Sequence, residues 1–166
     1  MPSQLFSFQL AESEWVDCTH RAGPFFQQQA LGRGVASADY DNDGDLDLCV
    51  VHQNSPTALL ENVSQRGHWL KFRLIGLSSN RSAIGTRVTV TQGEQTLYQE
   101  LAGGTSYCAS AQPVLIFGLG DSDLPCSVKI QWPNGTTQHI SENFPVDQEL
   151  LFIEGHPQPI HNTERN

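Results

Sequence analysis

Lysine is almost missing from this chain: only Lys71 and Lys129 occur, and nine Lys and Arg together face 18 Asp and Glu, for a formal charge of −9. No basic stripe exists to neutralise phosphates, so a nucleic-acid partner is excluded. Also missing is any stretch of the roughly 18 apolar residues that a membrane span requires. The opening MPSQLFSFQL has no positively charged region followed by an apolar one, so these residues carry no secretory signal pattern, as expected of a mature chain or an excised piece. The four cysteines, Cys18, Cys49, Cys108 and Cys126, lack CxxC spacing, which argues against zinc. In an oxidising compartment they allow three disulfide pairings, and the sequence leaves the choice open.

Catalytic constellations are missing too. The six histidines stand without a GxSxG or HExxH context, and no glycine-rich phosphate loop opens a helix. A non-catalytic chain is therefore expected.

What is present is alternation. In HWLKFRLIGL, Leu70, Phe72 and Leu74 share one face and Lys71 and Arg73 the other; CSVKIQW repeats the pattern. Such segments predict half-buried strands. Further strands are expected at GVASADY, LDLCVVH, TALLENV, TRVTVTQ, TLYQELA, VLIFGLG, TTQHI and ELLFIE, spaced as in a sandwich or barrel. Pro133, Asn134 and Gly135 mark a hairpin turn. The expected core includes Leu70, Phe72, Val88, Val90, Phe117, Val128, Ile130 and Trp132. SFQLAESEWVDCTH reads as a strand pair. The polar stretch 61–68 separates an expected N-terminal unit, residues 1–65, from a C-terminal one, 66–155, and the polar tail 156–166 is expected to fray. The fold class is all-β: a calcium-loop hairpin or propeller-blade fragment followed by an antiparallel β-sandwich-like domain.

The most informative string is DYDNDGDLD, which places five carboxylates within nine residues. Asp39, Asp41, Asp43 and Asp47 offer side-chain oxygens and Asp45 a backbone carbonyl. Calcium takes about six to eight oxygens at roughly 2.3–2.6 Å, and a chain curled around the ion delivers them at alternate positions. Gly44 permits the curl. The alternative is a solvated acidic turn; against it, the carboxylates repel one another and no basic residue lies between Gly34 and Glu61. Magnesium fits less well, because it uses few carboxylates and keeps its waters. An EF-hand is excluded, since its closing glutamate would fall on Val50 and its flanking helices on β-branched, alternating segments.

Two blocks carry a family resemblance. GVASADYDNDGDLDLCVVHQNSPTALLENV resembles an FG-GAP/VCBS repeat, which implies that Asp39, Asp41, Asp43, Asp45 and Asp47 ligate calcium, Asp45 through its backbone. NRSAIGTRVTV, GGTSY, FGLG and WPNG, in that order, resemble the ASPIC and UnbV domain over about residues 68–154. The chain departs from that pattern at Cys108, Ala109 and Ser110 after Tyr107, and at Val114 and Ile116 before FGLG. The pairing is typical of the C-terminal end of the cartilage acidic protein family and its bacterial homologues, which implies an extracellular or periplasmic, calcium-associated protein built on a propeller. A propeller needs about four to eight blades, so this chain is expected either to be cut from a longer protein or to pack its hairpin on the C-terminal domain.

The expected function is a calcium-binding extracellular interaction or scaffold module, with a protein or glycan partner and with open strand edges that invite self-association. The alternative is a calcium-dependent carbohydrate-binding module, using the ion or an aromatic face drawn from Trp15, Trp69 and Tyr98. Asn62, Asn80 and Asn134 head glycosylation sequons.

Overall fold

In a computed structural model, residues 3–9, 13–64, 67–123, 126–140 and 144–161 are described. They form an all-β structure of four sheets, none closed. No helix among them is long and apolar enough to cross a membrane.

The N-terminal region holds a two-stranded hairpin, β1 (Phe6–Gln9) with β2 (Glu14–Asp17), followed by two short 3-10 turns. The bonds Cys18 N–H to Leu5 O and Leu5 N–H to Thr19 Oγ1 tie the hairpin to the first turn. A three-stranded antiparallel sheet follows: β3 (Gly32–Ala38), β4 (Asp47–His52) and β5 (Ala58–Leu60). The acidic string is the loop joining β3 to β4.

Two four-stranded sheets make the C-terminal part. One has the order β11 (Thr137–Ile140), β10 (Cys126–Gln131), β7 (Arg87–Gln92), β8 (Gln95–Glu100); the other β13 (Ile160–His161), β12 (Gln148–Ile153), β6 (His68–Ile75), β9 (Val114–Gly120). Both sheets contribute to a single apolar cluster, as in a sandwich, and all eight expected core residues lie in it. Phe72 is its aromatic centre, with ring centroids 5.3 Å from Phe117 and 5.0 Å from Phe152. Cys126 is buried in the same core, where burial pushes its thiol up; Cys18, Cys49 and Cys108 carry free thiols.

Three features differ from the sequence expectation. First, β12 pairs with β6 in parallel, in an otherwise antiparallel set; a parallel pair needs a long crossover, which the whole stretch from β7 to β11 supplies. Second, the tail does not fray at once, because β13 pairs with β12 through Leu150 and Leu151; residues 162–166 lie outside the described ones. Third, β6 is buried on both faces rather than one. Leu70, Phe72 and Leu74 enter the core, while Trp69 and Lys71 on the opposite face are buried as well.

What meets that second face is the acidic loop of the N-terminal sheet, through Gly44 against Trp69 and Asp39 against Lys71. The β3 edge of this sheet, left open by the expected blade fragment, is sealed by residues 103–112 of the C-terminal part. Val35 N–H donates to Ser106 Oγ, Gln112 N–H donates to Ser37 O, and Asp39 N–H donates to Gln112 Oε1. Gly34 permits this approach, since a Cβ there would meet Tyr107 O at 2.7 Å. The GGTSY block is thus where the two parts of the chain meet, and the hairpin packs on the C-terminal domain.

Candidate functional site

Pairing of Ala38 with Asp47 closes β3 and β4 around the loop 39–46. Asn42 and Gly44 take positive φ, 61° and 98°. Side chains fold back on the following backbone: Asp43 N–H donates to Asp41 Oδ1 at 3.2 Å and Asp45 N–H to Asp43 Oδ1 at 3.1 Å. These bonds curl the loop inward. Gly44 lies against the Trp69 indole so closely that a Cβ would sit 2.0 Å from its Cε2.

The five aspartates have separate surroundings. Asp39, Asp41 and Asp43 come together, each offering a carboxylate oxygen within 4.8 Å of the others'. Asp39 is buried, Asp41 exposed and Asp43 half-buried. Asp47, also buried, accepts Tyr40 N–H on Oδ2 and Asn62 N–H on Oδ1, both at 2.8 Å. It clamps the loop to the segment just after β5. Asp45 has both carboxylate oxygens buried without a hydrogen-bond partner among the described residues. Burial first, and then the charges of Asp47, Asp41, Asp39 and Glu61, push its carboxyl up.

Asp39 Oδ1 is likewise buried and unpartnered, but its Oδ2 accepts Lys71 Nζ at 2.9 Å. Lys71 also lies 3.5 Å from Glu149 Oε2, its cross-strand neighbour on β12, and Glu149 Oε1 in turn accepts Arg73 Nε at 3.0 Å. No basic residue lies near the loop along the sequence, but Lys71 reaches it in space. Lys71, Trp69, Gln112 and Glu149 were not legible as parts of the site, although one signal existed. A lysine between Leu70 and Phe72, in a chain with two lysines, is an unusual occupant of a strand that has an apolar core face.

An open cleft of about 560 Å³ borders the loop, lined by Asn42, Asp43, Gly67, His68, Trp69, Asp121 and Asp147. Asp147 holds its wall by accepting His68 Nδ1 at 2.7 Å and Trp69 N–H at 3.1 Å. The aromatic face considered for sugars does not assemble: Trp69 is buried beneath the loop, while Trp15 and Tyr98 are exposed on strands of different sheets.

Away from the loop, Glu154 is buried and accepts three consecutive backbone N–H groups, from Leu77, Ser78 and Ser79, each at 2.8 Å. Ser79 Oγ and Asn134 Nδ2 bind its other oxygen. The Asn80 side chain spans its own turn to Ile84. The turn 77–79, just before the NRSAIG block, and the WPNG block are therefore joined by one carboxylate and serve the fold. Asn80 and Asn134, both sequon residues, are spent on these turns.

A family model described as ASPIC and UnbV matches residues 76–159. Cartilage acidic protein 1 of Homo sapiens is 30% identical over 118 residues, covering 68% of this chain and 18% of the relative. The proteins of the same name from Mus musculus and Xenopus tropicalis match to the same extent. The chain thus spans less than a fifth of the length of these curated relatives.

Proposed function

This chain belongs to the ASPIC and UnbV family, and we propose that it is a non-catalytic, calcium-binding interaction or scaffold module of an extracellular protein, with an FG-GAP/VCBS-like hairpin as its metal site. The observation that carries this reading is an orphaned acidic oxygen. Asp39 Oδ1 is buried without a hydrogen-bond partner among the described residues, in a loop where Asp39, Asp41 and Asp43 converge. Burying an unpartnered carboxylate oxygen is costly, and a divalent cation removes that cost. Asp39, Asp41 and Asp43 would hold the ion, with Asp47 and the Asp45 carbonyl as the further ligands the resemblance implies. When bound, calcium supplies the positive charge that fixes the loop against Trp69 and β6. Extracellular modules bind calcium with dissociation constants of about 10⁻⁴ to 10⁻³ M, which suits occupancy outside cells. The partner would be another protein at the same surface.

The test is thermal melting with and without calcium. At about 100 times the dissociation constant the ion adds roughly 2.7 kcal/mol if the unfolded chain does not bind it. Asp43→Ala should abolish most of the shift and Asp17→Ala should keep it; equal responses in both variants would refute the site. The cleft beside Asp43 favours a second reading, calcium-dependent carbohydrate binding. Glycan-array signals that vanish with a chelator would select that reading.

A further inference from the structure

We infer that Lys71 is a built-in counter-ion which sets how strongly the acidic loop binds a divalent cation; this rests on the calcium reading above. The Lys71 side chain is fully buried, leaves β6 on the face opposite the apolar core and places Nζ 2.9 Å from Asp39 Oδ2. Its second carboxylate, Glu149, is shared with Arg73. The row Asp39, Lys71, Glu149, Arg73, buried up to its exposed last member, alternates in sign and sums to zero. One of the loop's two buried aspartates therefore already has a positive partner before any metal arrives.

Asp39 Oδ1, without a partner among the described residues and in a residue only 3% exposed, is the acceptor left for an ion. A divalent cation bound there shares one carboxyl group with an ammonium. The two positive charges repel at short range, in surroundings that screen them poorly. Lys71 thus lowers the affinity of the loop and also keeps it folded when calcium is scarce. Because the lysine stands on β6, between the loop and β12, a change at Asp39 is also felt by the sheet of the C-terminal domain.

The experiment is calorimetric titration of the full chain with calcium chloride, comparing wild type with Lys71→Met, Lys71→Gln and Lys71→Arg. Removal of the charge should tighten binding at least about tenfold, or about 1.4 kcal/mol, while lowering the melting temperature in chelator. Lys71→Gln keeps a hydrogen-bond donor for Asp39 and carries the test if Lys71→Met does not fold. Lys71→Arg retains the charge and should bind as wild type does, which separates charge from packing. Wild-type binding with no gain in the neutral variants overturns this inference and leaves the calcium reading standing. No binding by wild type or either neutral variant overturns both. Binding by the neutral variants alone supports the inference, and means that in the wild-type chain the lysine takes the place of the ion.

Discussion

Lys71 Nζ lies 2.9 Å from Asp39 Oδ2, and both side chains are wholly withdrawn from solvent. One residue comes from the acidic loop and the other from the central strand of a C-terminal sheet, so the pair fastens the two parts of the chain together. Breaking a buried ion pair from one side costs about 3–5 kcal/mol, because the remaining charge is stranded. Asp39→Ala should fall toward the lower end, since Glu149 remains within 3.5 Å of the lysine. Denaturant unfolding in chelator measures this; a loss below about 1 kcal/mol, the ceiling typical of surface pairs, would contradict the pairing.

The contact between Gly44 and Trp69 yields a second expectation. Gly44→Ala places a side chain at φ 98° and into the indole, with about 1–3 kcal/mol from backbone strain alone. In a Trp69→Ala background the collision is gone and only the strain should persist. A double-mutant cycle with no coupling between the two changes would show that the loop does not rest on the ring.

Val128 pairs across the sheet with Val90 on one side and Ile140 on the other, all three buried. Val128→Asp should cost more than about 4 kcal/mol, as expected of an unpaired charge in a packed core. An unchanged melting temperature and solubility would overturn the sandwich core.

Glu154 sets an acid limit to stability. Burial pushes its carboxyl up, but the hydrogen bonds from Ser79, Leu77 and Ser78 outweigh this and hold it below the ordinary glutamate value of 4.5. A group depressed in the folded state contributes stability that is fully present above its unfolded value and lost as pH falls through the folded one. The loss should therefore set in below pH 4.5. Glu154→Gln should destabilise the protein near neutral pH by about 2 kcal/mol, the scale of hydrogen bonds to a charged group, and flatten the acid limb of the melting curve. Parallel wild-type and mutant curves against pH would contradict this.

Much of this fold was legible because alternation is a local property. The apolar faces of β6 and β10 and the eight core residues follow from spacing two apart, and the turn at Pro133 to Gly135 from its own residue types. So did the placing of the acidic string between two short strands. Alternation says which residues share a face, but not whether the other face is later covered. The burial of Lys71 and Trp69 depends on a loop some thirty residues earlier, and the sealing of β3 on Gln112, 73 residues after Asp39. The parallel register of β12 on β6 and the gathering of three N–H groups on Glu154 are likewise products of distant segments, with no local pattern to announce them. The carboxylates of the loop were visible one by one; their division into a converging trio, a clamp at Asp47 and an orphan at Asp45 was not.

The central claim is that a divalent cation sits in the loop that rests on Trp69, and terbium, a luminescent substitute for calcium, tests it most directly. The position of the indole under Gly44 makes Trp69 the donor for energy transfer to an ion held by Asp39, Asp41 and Asp43. Tryptophan-excited terbium emission should appear on titration, be displaced by calcium, and disappear in Asp43→Ala and in Trp69→Phe. Emission that calcium does not displace, or that survives Asp43→Ala unchanged, would contradict the metal site.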